Sequence, residues 1–369
     1  MVPLGSHAML ARMIDRRAFL ATLPFAFSAL PTFGQEEGQV GAPVADASAP
    51  AQAPPAQTVS RPLSDILTSA ERFAPLKSVL VSRKGDLLAE RGYHGYAPQG
   101  STNIKSASKS ILSAMVGIAI AKGLLAGPDQ PMAPILQADL RQNPDPRLAR
   151  VTIGNLLSMQ SGLDPLSGPN YGRFVASRNW VRFALAQDFV EDPGGPMLYS
   201  TASSHLVSAI LTKVGRKPTL ELAKDWFSPV EGFRIGSWSR DRQGIYLGGN
   251  QMAMTARSLH AFGELYRCGG RTAAGVQVVP EDWVKTSWQQ RTSSRYSGDG
   301  YGYGWFLKRI GNEDVCFAWG YGGQMLYIVP NLDLTVTMTS ESDSPSAANG
   351  YRDRLHDLLA EIIGAVKIT

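Results

Sequence analysis

The sequence predicts an α+β domain: one antiparallel sheet built from both chain ends and flanked by helices, with an all-helical second lobe over about residues 110–250. Three patterns carry this. Near the start, Val79-Leu80-Val81, a turn at Lys84-Gly85-Asp86 and then Leu87-Leu88-Ala89-Glu90 read as a hairpin. Helical periodicities opened by threonine or closed by glycine fill the middle. Near the end come four strand-like runs, Tyr301 to Lys308, Val315 to Trp319, Gln324 to Val329 and Leu332 to Thr339. Strands at both ends with helices between them imply one sheet closed by the two termini, and a cleft where sheet and helical lobe meet.

Taken in order, residues 1–34 read as an export signal. Arg16-Arg17 is a twin arginine, and Phe19 to Leu30 is an apolar stretch too short to span a bilayer. Thr32-Phe33-Gly34 offers small residues for cleavage, which implies a periplasmic or secreted bacterial protein with no stable membrane span after signal removal. Residues 35–62, with Ala49-Pro50-Ala51-Gln52-Ala53-Pro54-Pro55, are expected to form a disordered linker, because such a composition cannot bury a core. The folded domain is expected over 63–369, about 300 residues and near the upper size for one core. An apolar helix opens at Ser106 and stops at Gly123. Thr152 caps a helix through Ile153, Leu156, Leu157 and Gln160 that Gly162 closes; Leu206 to Val214 form another, ended by Gly215. Thr255 starts a third, with Leu259, Phe262 and Tyr266 at helical spacing and Gly269 at its end. Leu334, Val336 and Met338 alternate with Thr335, Thr337 and Thr339 as the two faces of a strand, and Tyr351 to Ile363 form an amphipathic closing helix.

Composition excludes several functions. The net charge of +5 loses three arginines and one aspartate with residues 1–34, leaving a scattered +3 that does not suggest nucleic acid. The five histidines form no metal-ligand spacing, and His205 and His260 read as packing or surface residues on helices. Cys268 and Cys316 fit no metal site either. They could pair in an oxidising compartment, but their apolar contexts favour two free thiols. No metal and no cofactor are expected.

The chemistry-bearing motif is Ser106-Ala107-Ser108-Lys109. A serine hydroxyl is a poor nucleophile until a base takes its proton, and a lysine three residues along a helix lies one turn away on the same face. The run Ile111 to Ala121 is almost wholly apolar, so this helix is buried and the amine sits in low dielectric, where it deprotonates more easily. The alternative is a serine near a helix start with an incidental lysine on its first turn.

Later segments bear on that choice. Ser106-Ala107-Ser108-Lys109-Ser110, Leu156 to Asp164, Pro196-Met197-Leu198-Tyr199-Ser200, Tyr301-Gly302-Tyr303-Gly304-Trp305 and Trp319-Gly320-Tyr321-Gly322-Gly323-Gln324 occur in this order. In this series, over roughly residues 75–345, the chain resembles the penicillin-recognising serine hydrolases, in the branch of class C β-lactamases, family VIII-type esterases and 6-aminohexanoate-dimer hydrolases. The resemblance implies a β-lactamase/transpeptidase-like fold, with Ser106 as the acylated nucleophile, Lys109 as its proton acceptor and Tyr199 as the phenol of the second motif. It also implies an oxyanion hole from the backbone N–H groups of Ser106 and Gln324. Tyr321, Gly322 and Gly323 of the third motif would contact substrate. Tyr321 and Trp319 either pack on the strand or line a pocket, and Tyr171, in Ser167-Gly168-Pro169-Asn170-Tyr171-Gly172, either overhangs the cleft or lies on a surface loop.

Two departures narrow the expectation. The second motif of these relatives reads Tyr-x-Asn, but Tyr199-Ser200-Thr201 stands here, so the amide is absent or replaced by a hydroxyl. The third motif opens with Lys or His in relatives but with Tyr321 here, which should weaken binding of a substrate carboxylate. No glutamate is placed to activate a deacylating water as in class A β-lactamases. The expected partner is therefore a small ester or linear amide. A β-lactamase or D-alanyl-D-alanine carboxypeptidase, and a penicillin-fold binding protein with weak turnover, are the alternatives.

Overall fold

The structure, a computed structural model, describes residues 61–343, 346 and 349–367. The export signal and nearly all of the linker lie outside the described residues. None of the described helices is long and apolar enough to cross a membrane.

Eleven strands are present among the described residues: β1 (Leu76–Arg83), β2 (Asp86–Gly92), β3 (Ser101–Asn103), β4 (Ser237–Trp238), β5 (Met252–Thr255), β6 (Thr292–Ser293), β7 (Gly300–Tyr301), β8 (Phe306–Ile310), β9 (Glu313–Gly320), β10 (Gln324–Val329) and β11 (Leu334–Ser340). Eight of them form an antiparallel sheet in the order β2-β1-β11-β10-β9-β8-β7-β6, so the first hairpin pairs with the last strand as expected. β3, β5 and β4 form a separate small sheet that sequence patterning did not reveal. The α-helices are α1 (Leu63–Ser69), α2 (Ser108–Ala121), α3 (Ile153–Leu157), α4 (Tyr171–Ala176), α5 (Trp180–Leu185), α6 (Thr201–Gly215), α7 (Thr219–Trp226), α8 (Ala256–Arg267), α9 (Glu281–Ser287) and α10 (Tyr351–Val366).

The main sheet separates two cores. Met325, Tyr327, Val329, Val336 and Met338 pack with α1 and α10, whereas Leu326, Ile328, Cys316 and Ala318 face the core that holds α2, α6 and α8. Alternation along β10 and β11 thus serves a sheet covered on both faces. The threonine face of β11 is buried rather than wet: Thr339 pairs with Ser78 at 2.6 Å and Thr337 with His260 Nδ1 at 2.9 Å. His260 is a packing residue there, also bonded to Ser82, and burial lowers its imidazole pKa to about 4.

Several boundaries differ from the sequence expectation. Thr152 caps α3 in a capping box with Asn155, but α3 ends at Leu157. Met159 then turns into the left-handed region (φ +62°), so Gly162 does not close the helix. Gly215 is the last helical residue of α6, a Cβ there would lie 2.6 Å from Leu222, and Arg216 makes the left-handed turn instead. The run Tyr301 to Lys308 is two strands, because Gly302 lies so close to the Ser287 carbonyl that a Cβ would approach its oxygen to 2.2 Å. Both cysteines are free. Cys316 is buried, but Cys268 is exposed, contrary to its apolar sequence context.

α2 shows why this helix tolerates no bulk. A Cβ at Gly117 would lie 2.3 Å from the indole of Trp283 on α9, itself stacked on Tyr303 at 5.6 Å. Gly117→Ala is expected to cost about 1–3 kcal/mol by overpacking. Urea unfolding should show a lower midpoint at an unchanged slope.

Candidate active site

Ser106 does not begin the α-helix. It sits in a single 3-10 turn, Lys105–Ala107, whose end runs into α2 at Ser108. Lys105, directly before it, is held at φ +51°, a left-handed conformation costing about 1–3 kcal/mol for a residue with a side chain. Asn103 Oδ1 accepts the Lys105 N–H at 3.0 Å and the Lys105 carbonyl accepts from Ser108 Oγ at 2.7 Å, which over-determine the turn. The end of β9 presses on it from the other side: a Cβ at Gly320 would reach 2.1 Å from the Ile104 carbonyl oxygen. The strained turn leaves Ser106 half-exposed while the residues after it are buried.

Lys109, one turn on, is only 3 % exposed. Its Nζ lies 2.9 Å from Ser106 Oγ and 2.9 Å from the Gly249 carbonyl oxygen. Burial pulls its pKa from 10.5 down to about 7. Its two hydrogen-bond partners are a hydroxyl and a backbone carbonyl, so no opposite charge among them offsets that burial. In the amine form, an N–H directed at the Gly249 carbonyl leaves the lone pair for the serine proton.

Tyr199 precedes α6, and its ring lies beneath the lysine, with Nζ 5.0 Å from the ring centroid. Burial raises the phenol to about 12, and its hydrogen bond with the Ser106 hydroxyl pulls the other way. Hydroxyl, amine and phenol therefore meet at one point. Their states are complementary near neutral pH: an amine able to take a proton, and a phenol that keeps one to give.

The remaining expected residues are placed as follows. Tyr321, Gly322 and Gly323 form the turn between β9 and β10 rather than lying on the strand. Tyr321 is 48 % exposed, and a Cβ at Gly322 would reach 2.2 Å from the Glu341 carbonyl oxygen, so only glycine fits. Gln324 opens β10 with a fully buried side chain. Its Nε2 donates to the Ser340 carbonyl at 2.8 Å and its Oε1 accepts the Ser340 N–H at 3.2 Å, so only its backbone is left for the site. Trp319 is anchored by its own neighbours: its Nε1 donates to Ser346 Oγ at 3.2 Å and the Arg352 guanidinium covers its ring at 4.8 Å. Tyr171 opens α4 instead of lying on a free loop, and its hydroxyl accepts from Asn250 Nδ2 at 3.0 Å.

The hydroxyls at the departing second motif are engaged locally. Ser200 Oγ accepts the Leu166 N–H at 3.1 Å, and Thr201 Oγ1 bonds Ser167 Oγ at 3.0 Å. Thr201, at the position of the missing asparagine, is buried in that contact and does not substitute for it.

Sequence reasoning missed four residues: Lys105, Gly249, Asn250 and Tyr301. Lys105 also directs its ammonium to the exposed Asp343 at 3.9 Å. Burial raises the Tyr301 phenol well above its usual pKa, and the nearby Tyr199 adds to the shift. The Gly248-Gly249-Asn250 tripeptide was the available signal, since paired glycines before a strand mark close backbone approach.

Comparison with known proteins agrees with this fold. The Beta-lactamase family model matches residues 71–361. The fold is similar to that of a Bacillus anthracis protein provisionally assigned as a 6-aminohexanoate-dimer hydrolase, with TM-score 0.65, 18% identity and 83% of each chain covered. It is similar to EstCE1, a hydrolase with promiscuous acyltransferase activity, with TM-score 0.66, 17% identity, 81% of this chain and 97% of that one. It also resembles a class C β-lactamase from Rhodobacter sphaeroides, with TM-score 0.63, 16% identity, 81% of this chain and 99% of that one. These identities make each a likeness of fold.

Proposed function

As the chain belongs to the Beta-lactamase family of serine hydrolases, we propose that it cleaves small esters or linear amides through an acyl-enzyme on Ser106. The single observation that carries the reading is the buried Lys109 amine 2.9 Å from Ser106 Oγ. Lys109 takes the serine proton as Oγ attacks the substrate carbonyl, and the backbone N–H groups of Ser106 and Gln324 receive the oxyanion, each worth about 3 kcal/mol. Tyr199, a neutral phenol well below its pKa of about 12, gives a proton to the departing alcohol or amine. Water then attacks the acyl carbon, losing its proton along the same route in reverse, and Ser106 regains its own.

The preference for uncharged esters and amides rests on Tyr321 opening the third motif and on Thr201 being locked to Ser167, which leave those two positions without a cation or an amide for a carboxylate-bearing substrate. Export through the twin-arginine signal, to the periplasm or beyond, is part of the same proposal and rests on Arg16-Arg17 and the short apolar stretch after it.

A fluorophosphonate probe should label the wild type and leave Ser106→Ala unlabelled. Turnover should rank p-nitrophenyl butyrate above nitrocefin. An unlabelled wild type would point to a binding protein, and faster nitrocefin turnover to a β-lactamase.

A further inference from the structure

The loop that presents Gly249 to Lys109 is itself held by a buried pair that takes no part in the chemistry above. His205 on α6 and Asp241 both have fully buried side chains, with His205 Nε2 3.1 Å from Asp241 Oδ2. The other carboxylate oxygen, Oδ1, accepts the backbone N–H of Gln243 at 2.9 Å and of Ile245 at 2.8 Å, so the carboxylate cannot turn. On the far side of the ring, Nδ1 accepts the Gly248 N–H in a long bond of 3.4 Å. Edge contacts from Phe174 and Trp180, at 5.7 and 5.3 Å between ring centroids, fix the plane of the imidazole.

These partners dictate the tautomer. A carboxylate only accepts, so Nε2 carries the proton; a neutral ring has one N–H, so Nδ1 keeps a lone pair and can receive Gly248. The other tautomer, or the imidazolium, would set two N–H groups against each other at Gly248. Two successive glycines leave this backbone wide freedom, so an outside anchor decides where the Gly249 carbonyl points. The backbone at Gly248 is also pressed on α6: a Cβ there would lie 2.0 Å from the Ser204 carbonyl oxygen.

We propose that Asp241 and His205 are positioning residues for the general base: the carboxylate sets the imidazole tautomer, the imidazole fixes Gly248, and the adjoining Gly249 carbonyl orients the Lys109 amine. This rests on the acyl-enzyme reading and adds to it two residues that touch neither substrate nor nucleophile.

The test uses the full chain labelled with 15N at histidine and lysine. In wild type, NMR should show His205 protonated on Nε2; a proton on Nδ1 overturns the proposal without any variant. In Asp241→Asn, Oδ1 stays with Gln243 and Ile245, so the amide turns an N–H towards His205 and the ring proton moves to Nδ1, against Gly248. The expected result is the switched tautomer, kcat lower by about 10- to 100-fold with KM within about two-fold, and complete though slower fluorophosphonate labelling, which shows that the protein is folded. A switched tautomer with wild-type kcat overturns the proposal. Should wild type itself resist the probe, the acyl-enzyme reading falls. The 15Nζ titration of Lys109 then decides the anchor: Asp241→Asn must displace it, and an unmoved titration sinks the positioning role.

Discussion

Lys109→Met is expected to lower kcat for an ester substrate by about 10²- to 10⁴-fold, the usual share of a general base, while making the protein harder to unfold. The two effects share one cause. Lys109 is 3 % exposed, and its pKa falls from 10.5 to about 7 because the buried ammonium is poorly solvated. A pKa lowered on folding means that the unfolded chain binds the proton more tightly. Below about pH 7 both states carry it and the full cost of burying the charge applies. As pH rises from about 7 to 10.5 the native amine is already neutral, and stability recovers. The span corresponds to roughly 4–5 kcal/mol. Methionine has similar length and no charge, so Lys109→Met should raise Tm most below pH 7 and least above pH 10.5. Thermal unfolding across pH 5 to 10 measures this; a constant gain at every pH would contradict the role of the buried charge. In the wild type the same ionisation should appear as an acid limb of kcat/KM near pH 7. No alkaline limb from Tyr199 is expected until close to pH 12.

How much of this was legible depends on distance along the chain. Ser106 and Lys109 are three residues apart, and helical geometry alone brings them together, so the motif could be read. Thr152 and Thr255 as caps are equally local: each accepts the N–H of the residue three positions on. The hairpin and the last strands of the main sheet could be read locally, although β6 and the two-sided burial of β11 could not, because threonines facing α8 look the same in sequence as threonines facing water. The missed features are long-range. Gly249 lies 140 positions from the lysine it orients, and His205 reads as an ordinary helical residue until Asp241 is folded against it. Lys105 carries no sign of its left-handed φ, since that conformation is imposed by Asn103, by Ser108 and by the strand end pressing on Ile104. Local rules therefore supplied the reacting groups, whereas the groups that hold them in place came from tertiary packing.

Gly249→Ala carries the second large expected effect, because it acts on the base without touching its chemistry. A Cβ at this position would lie 2.7 Å from Lys109 Cγ and 2.8 Å from Nζ, closer than such atoms approach. The residue also has φ +74°, where a side chain costs about 1–2 kcal/mol. Lys109 must yield, since the backbone beneath it is fixed by α6. A displaced amine loses its aim at Ser106 Oγ, and an ångström of misplacement costs about 100-fold in rate. The backbone share of the effect can be separated by Gly232→Ala. Gly232 has nearly the same φ, +78°, but only the Ala261 Cβ near its missing side chain, at 3.7 Å. Both variants should lose about 1–2 kcal/mol of stability in urea, and only Gly249→Ala should lose the factor of about 100 in kcat. Equal kcat in the two would mean that the 2.9 Å bond from Lys109 to the Gly249 carbonyl does not orient the base. A loss confined to Gly249→Ala, with the Lys109 titration displaced, would show that the close approach of this glycine to the lysine is what lets the amine aim at Ser106 Oγ.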